Sequence, residues 1–269
     1  MPSVTRRREL GRIQPMQGRI FPSILVILTF GSSLSAAADE RPRVCVVGER
    51  PSWSYRYLVQ ALARERDFDS RSLLMEGRAE LGAELKNCSV LILVDVSPQS
   101  LDRQPELVKQ ITDFVARGGG LIIAAGDSWR GEKLPFSEIL PVQIAEQEVA
   151  ENDAPALGRA RVTGAGLRSP MLRLVDDPMR NQQLWRDELD ACFGPPLSVT
   201  PGKATTVLAV DPLRRIGEKK IPLIATRSFG EGRVIFLNNG QFWRWRVKPV
   251  GNYHGRFWKQ LTHFAVGQE

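Results

Sequence analysis

Ser128 stands two residues beyond the glycine that closes the apolar run Leu121-Ile122-Ile123-Ala124-Ala125, in the string Gly126-Asp127-Ser128-Trp129-Arg130. A serine on a sharp turn after a buried strand is a position from which a hydroxyl can attack an acyl carbon, provided an imidazole takes its proton. The chain holds two histidines, His254 and His263, and His254 is the one that would fold back over a sheet to serve Ser128. Against this chemistry stands Arg130, in the place where such turns carry a second glycine. The competing role for Ser128 and Asp127 is capping, because short polar side chains satisfy backbone N–H groups at turns and helix starts.

Two further constellations carry chemistry. Glu49, Asp95 and Asp127 each follow an apolar run. If those runs are strands of an open α/β sheet, their carboxyl ends share one crevice, where such sheets bind ligands. Three carboxylates converging there would hold a hard divalent cation such as magnesium, whereas turn formation alone accounts for the same residues without a metal. The other constellation is Trp243-Arg244-Trp245-Arg246, with Tyr253-His254 and Arg256-Phe257-Trp258 downstream. Read as extended chain, it puts Trp243 and Trp245 on one face and Arg244 and Arg246 on the other. With Tyr253 and His254 beside it, that surface suits a sugar, an anionic polymer or a partner protein. Packed inward instead, the tryptophans would fix the last helix to the sheet and the arginines would pair with Asp176 or Asp177. No cofactor is expected.

The elements that must position these residues follow from hydrophobic spacing. Val44-Cys45-Val46-Val47 stops at Gly48 and reads as a strand. Tyr55, Leu58, Val59 and Leu62 then recur at helical spacing between Ser54 and Arg66, with Ser52 or Ser54 as cap. A short strand over Ser72 to Met75 precedes a polar helical stretch. Val90 to Val94 and Leu121 to Ala125 are unbroken apolar runs of the kind buried on both faces of a parallel sheet. Between them a helix starts at Pro105, buries Leu107, Val108, Ile111, Phe114 and Val115, and stops at Gly118. Residues from about 130 to 200 lose this rhythm, with one helix expected from Met179 to Leu189, and read as an elaboration beside the sheet. Strands at Thr206 to Val210, Leu223 to Thr226 and Val234 to Leu237 resume it, the last two as a hairpin about Gly230-Glu231-Gly232. An amphipathic helix from Tyr253 to Val266 closes the chain. The expected fold is a flavodoxin-like three-layer α/β sandwich with a mostly parallel sheet and a C-terminal β-hairpin plus helix.

Arg117-Gly118-Gly119-Gly120 before a buried strand, Phe229-Gly230-Glu231-Gly232-Arg233-Val234, and the tryptophan and arginine run together resemble the class I glutamine amidotransferase-like superfamily. More narrowly, they resemble the amidotransferase-like domains of bacterial envelope proteins, over most of residues 42 to 266. The resemblance implies a nucleophilic cysteine on the turn after Ala125 and a histidine beyond Val234 to Leu237. This chain has Gly126-Asp127-Ser128 at the first place and Asn238-Asn239-Gly240-Gln241 at the second. Without thiol and imidazole nothing generates a nucleophile at neutral pH, so the expectation is a noncatalytic module for protein interaction or ligand recognition. The alternatives are a divergent serine hydrolase using Ser128 and a metal-binding sensor.

The first 38 residues have the order of a secretory signal: arginines at 6, 7, 8, 12 and 19, an apolar run from Ile20 to Phe30, and Ala36-Ala37-Ala38. Cleavage after Ala38 would leave residues 39–269 as the mature domain, periplasmic or secreted and not membrane-spanning. An uncleaved anchor, a twin-arginine signal on Thr5-Arg6-Arg7-Arg8, and a true start at Met16 are the variants of this reading. The signal holds five of the 37 Lys and Arg and one of the 30 Asp and Glu, which leaves the remainder at +3. That is no electrostatic footprint for nucleic acid, and the expected partner is an envelope protein or an extracellular polymer. Cys45, Cys88 and Cys192 form no disulfide framework by count or spacing, and Cys45 and Cys88 read as small buried hydrophobes.

Overall fold

The computed structural model describes residues 41–75, 78–129, 134–145, 157–193, 196–247 and 253–268, with the side chains at 78–80, 127, 157, 191–193 and 247 excepted. The expected leader, residues 1–38, lies outside them.

Along the chain, β1 (Arg43–Gly48), α1 (Trp53–Leu62), β2 (Asp69–Leu74), α2 (Arg78–Glu84), β3 (Val90–Val94), α3 (Pro98–Asp102), α4 (Pro105–Ala116) and β4 (Gly120–Ala124) form the alternating half. Shorter pieces follow: β5 (Val142–Ile144), β6 (Leu157–Arg159), β7 (Arg161–Val162), α5 (Gly164–Arg168), α6 (Pro178–Gln183), β8 (Asp190–Phe193) and β9 (Val199–Pro201). The chain closes with β10 (Thr206–Ile216), β11 (Lys219–Phe229), β12 (Gly232–Leu237) and α7 (Tyr253–Val266).

The main sheet has the order β2-β1-β3-β4-β12-β11-β10-β7. Its first five strands run parallel, and β11, β10 and β7 add on as antiparallel neighbours. Every residue of β3 and of β4 is buried, as unbroken apolar strands require when both sheet faces are covered. On one face, Val44, Val46, Ile92, Ile122 and Ile235 pack with Leu58 and Leu62 of α1 and with Phe257, Trp258 and Leu261 of α7. On the other, Val47, Leu91, Ile123 and Phe236 pack with Leu81 of α2 and with Leu107, Ile111 and Val115 of α4. The result is a three-layer α/β sandwich. The parallel strands follow the flavodoxin order, and the direction in which successive strands are added reverses between β1 and β3.

Local chemistry accounts for the boundaries. Ser52 caps α1 by accepting from the Tyr55 amide at 3.1 Å. Pro105 opens α4, where its missing N–H is no loss. The helix expected over Met179 to Leu189 is instead α6, capped by Asp177, continued by a π-turn over Leu184–Glu188. The hairpin of β11 and β12 and the span of α7 fall where the spacing places them.

One expectation is corrected here. Cys45 and Cys88 are not inert hydrophobes: they are joined in a disulfide, with Cα atoms 5.9 Å apart. Cys45 lies on β1 and Cys88 just before β3. Because β1 and β3 are adjacent parallel strands, two cysteines 43 residues apart arrive side by side. Among the described residues no helix is long and apolar enough to cross a membrane.

Candidate functional site

A cleft of about 500 Å³ opens at the carboxyl ends of β1, β3, β4 and β12, a volume in the range of small-molecule sites. Its walls include Glu49, Ser52, Asp95, Ser128, Asn239 and Gln241. Trp53 and Trp243 also line it.

Asp95 is the best-positioned group in the cleft. It follows β3 with φ of 52°, a left-handed conformation that Asp tolerates better than most residues. Its Oδ2 accepts from the Ser52 hydroxyl at 3.0 Å, so the residue that caps α1 also orients this carboxylate. Two glycines make room for Oδ1. A Cβ on Gly126 would lie 2.6 Å from it, and one on Gly240 would lie 2.7 Å from it. Left-handed backbone at a non-glycine residue costs free energy and persists only where the surroundings impose it.

Glu49 is placed differently. Its Oε2 accepts from the Ser97 amide at 2.6 Å, and its Oε1 accepts from the Ser100 hydroxyl at 2.6 Å and the Ser97 hydroxyl at 3.1 Å. Burial pushes the Glu49 carboxyl up, but these hydrogen bonds, with Arg50 nearby, outweigh it and hold the group below the usual carboxylate range. Glu49 therefore ties the end of β1 to the start of α3. Of the alternative metal trio Glu49, Asp95 and Asp127, Glu49 and Asp95 both line the cleft. The side chain of Asp127 lies outside the described residues, and among those described no group of three His, Cys, Asp or Glu is placed to share an ion.

The turn after β4 is a single 3₁₀ turn over Asp127–Trp129. The buried Trp129 indole anchors it by donating to the Val96 carbonyl at 2.7 Å, which leaves Ser128 exposed on the cleft. The structure does not bring His254 to Ser128. His254 is buried on α7, where its Nε2 accepts from the Trp258 indole at 3.1 Å. Burial, with a smaller contribution from Arg246, lowers its pKa to about 4. It is a neutral core residue and not part of an exposed surface. His263 is elsewhere on α7, against Asp67 at 3.1 Å and Gln268 at 3.0 Å. The stretch where the resemblance implied a late histidine is structural too: the buried Asn238 accepts from the Leu197 amide at 2.8 Å and donates to the carbonyls of Leu197 and Pro222.

The tryptophan and arginine run is not extended. Gln241–Val247 winds as a 3₁₀ helix, started by the Asn239 side chain accepting from the Gln241 amide at 2.7 Å. Residues two apart therefore diverge. Trp245 is buried, packs edge-on against Trp185 and Phe257, and donates to the Asp190 carbonyl at 2.5 Å. Trp243 is half-buried and joins Trp53 and Tyr57 of α1 in a group of three roughly parallel rings, with centroids 5.5 to 6.2 Å apart. Arg244 lies over Trp243 and Arg246 over Tyr57, at 5.0 and 4.5 Å, while Arg56 lies over Trp53 at 5.6 Å. Asp176 pairs with Arg256 rather than with this run, and Tyr253 is half-buried against the core. Trp53, Tyr57 and Arg56 escaped the sequence reading. The signal present was an aromatic pair at i and i+4 on the polar face of α1.

No family model and no characterised protein sequence matches the chain. Among solved structures, the cytoplasmic protein STM3548 from Salmonella typhimurium aligns with a TM-score of 0.50 at 14% identity, over 82% of this chain and 98% of that one. The likeness is one of fold. The exo-beta-1,4-mannosidase Op5Man5 from Opitutaceae bacterium strain TAV5 aligns with a TM-score of 0.41 at 12% identity, over 84% of this chain and 36% of that one.

Proposed function

We propose that this chain is a noncatalytic recognition module on an amidotransferase-like scaffold, exported to the cell envelope, whose cleft and aromatic rim bind a ligand or partner. The observation that carries the reading is a well-formed cleft whose described walls include no cysteine and no histidine. Ser128 is exposed there, but His254, the imidazole that the sequence argument offers it, is buried and already accepts from an indole, which argues against a serine–histidine pair at this turn. Asp95, in contrast, is fixed by Ser52 and by two close glycines, which is how a binding group is preorganised. The Cys45–Cys88 disulfide favours an oxidising compartment and so supports export.

The test compares the purified protein with Ser128→Ala and Asp95→Asn. Ester and glutamine hydrolysis should be equal in the wild type and Ser128→Ala, at the uncatalysed rate. Capture of a component of envelope extract should be lost in Asp95→Asn. Turnover abolished by Ser128→Ala would overturn the reading in favour of a hydrolase.

A further inference from the structure

We infer that the ligand of this cleft is a saccharide bearing an acidic group; the inference rests on the recognition reading above and names its ligand class. The cleft has two chemically distinct parts. Its interior offers hydroxyls and amides from Ser52, Ser128, Asn239 and Gln241, beside the Asp95 carboxylate oriented by Ser52, with Glu49, already bonded to Ser97 and Ser100, and Arg50 also on the wall. Short hydroxyls and amides beside a carboxylate match a ring carrying several hydroxyl groups, since a carboxylate accepts from hydroxyls and amides serve as either partner. A polyanion would meet the carboxylates of Asp95 and Glu49 inside.

The rim supplies what a sugar ring needs beyond hydrogen bonds. Trp53 is 54% exposed at the edge of the cleft, backed by Tyr57 and Trp243. The C–H groups on one face of a pyranose are apolar and slightly positive, and they complement the negative face of an aromatic ring. A large indole left this open at a polar cleft is a surface awaiting contact.

The acidic group follows from the arginines. Arg56 and Arg246 lie over the rings of Trp53 and Tyr57, and Arg246 is held in place by donating to the Gln60 amide oxygen at 2.9 Å. Among the described residues neither forms an ion pair with a carboxylate. A guanidinium set over a ring face keeps N–H donors that can receive a carboxylate or sulfate. A sugar stacked on Trp53 would carry its acid toward these donors and its hydroxyls toward Asp95.

The experiment uses an array of uronate-containing, sialylated and sulfated oligosaccharides alongside neutral counterparts of the same backbones. Hits are then titrated by tryptophan fluorescence with the wild type, Trp53→Ala and the double variant Arg56→Gln/Arg246→Gln. Acidic members should bind about tenfold or more tighter than their neutral counterparts, the factor of one charge-assisted pair. Trp53→Ala should weaken all binding at least about tenfold, and the double variant should erase the preference for acid while leaving neutral binding. Circular dichroism of each variant controls for folding. Equal binding of acidic and neutral members, or binding that survives Trp53→Ala, would overturn the inference. An array with no hits would also overturn it, whereas the recognition reading itself falls only to turnover through Ser128 or to capture that ignores Asp95. Retention of an envelope protein in place of sugar, lost in Asp95→Asn, would leave that reading standing and this inference rejected.

Discussion

The Ser52 hydroxyl donates to Asp95 Oδ2 at 3.0 Å while accepting from the Tyr55 amide at 3.1 Å, so one side chain starts α1 and aims the carboxylate of the cleft. Ser52→Ala removes both bonds and should cost about 1 kcal/mol, the usual worth of an N-cap. Ser52→Asp keeps a capping oxygen and by that criterion alone should be harmless. It also sets a second carboxylate against Asp95. Near neutral pH it should therefore be the less stable of the two variants, and the gap should close in acid as one carboxyl takes a proton. Urea unfolding of both at pH 7 and pH 4.5 checks the order.

Gly126 and Gly240 hold the space for Asp95 Oδ1, and a methyl group at either meets it closer than 3 Å. Asp95 cannot swing aside without giving up Ser52. Gly240→Ala should cost roughly 1–3 kcal/mol, as overpacking does. Placed on an Asp95→Gly background the same change should cost much less, because the colliding oxygen is gone. Additive costs in this double-mutant cycle would show that the carboxylate is not what Gly240 accommodates.

His254 makes the acid sensitivity of the fold predictable. Its folded pKa is lowered to about 4 from 6.5, so between these values the unfolded chain binds a proton that the folded chain refuses. The stability this group contributes is present above pH 6.5 and is lost as pH falls toward 4, to about 3 kcal/mol in all. His254→Gln keeps an acceptor for the Trp258 indole and removes the titration. Denaturation midpoints across pH 4 to 7 should fall less steeply in the variant, and parallel curves would contradict the assignment.

Trp243 and Trp245 lie two residues apart on one 3₁₀ segment and should respond oppositely to truncation. Trp245 is 1% exposed among Trp185, Phe242 and Phe257, so Trp245→Ala should cost about 3–5 kcal/mol. Trp243→Ala removes a half-buried ring at the rim and should cost less than about 1 kcal/mol while weakening ligand binding. Thermal unfolding of the pair separates the two roles.

The fold was legible because its parallel strands are unbroken apolar runs, which periodicity detects, and because Pro105 and the hairpin glycines sit where helix starts and tight turns need them. Part of the cleft was legible as well: Glu49, Asp95 and Ser128 line it, as residues just beyond parallel strands should. The rest depends on three-dimensional facts that spacing does not encode. The Cys45–Cys88 bond follows from which strands are neighbours. The separation of Trp243 from Trp245 follows from an Asn239 side chain that winds the next residues into a 3₁₀ turn instead of a strand. His254 reads from its type as a base, but the identity of a residue says nothing of the indole that occupies its nitrogen.

The Cys45–Cys88 bond closes residues 45–88 into a covalent ring that contains Glu49, Ser52 and Trp53, while Asp95 and Trp243 lie on the chain leaving it. The two sides of the cleft thus belong to a ring and its tail. A protease that nicks the ring at the exposed Arg64 or Arg66 opens a loop without shedding a fragment, and the severed halves stay tethered across adjacent strands. A nicked molecule of this kind keeps both sides of the cleft covalently joined until a reductant opens the Cys45–Cys88 bond.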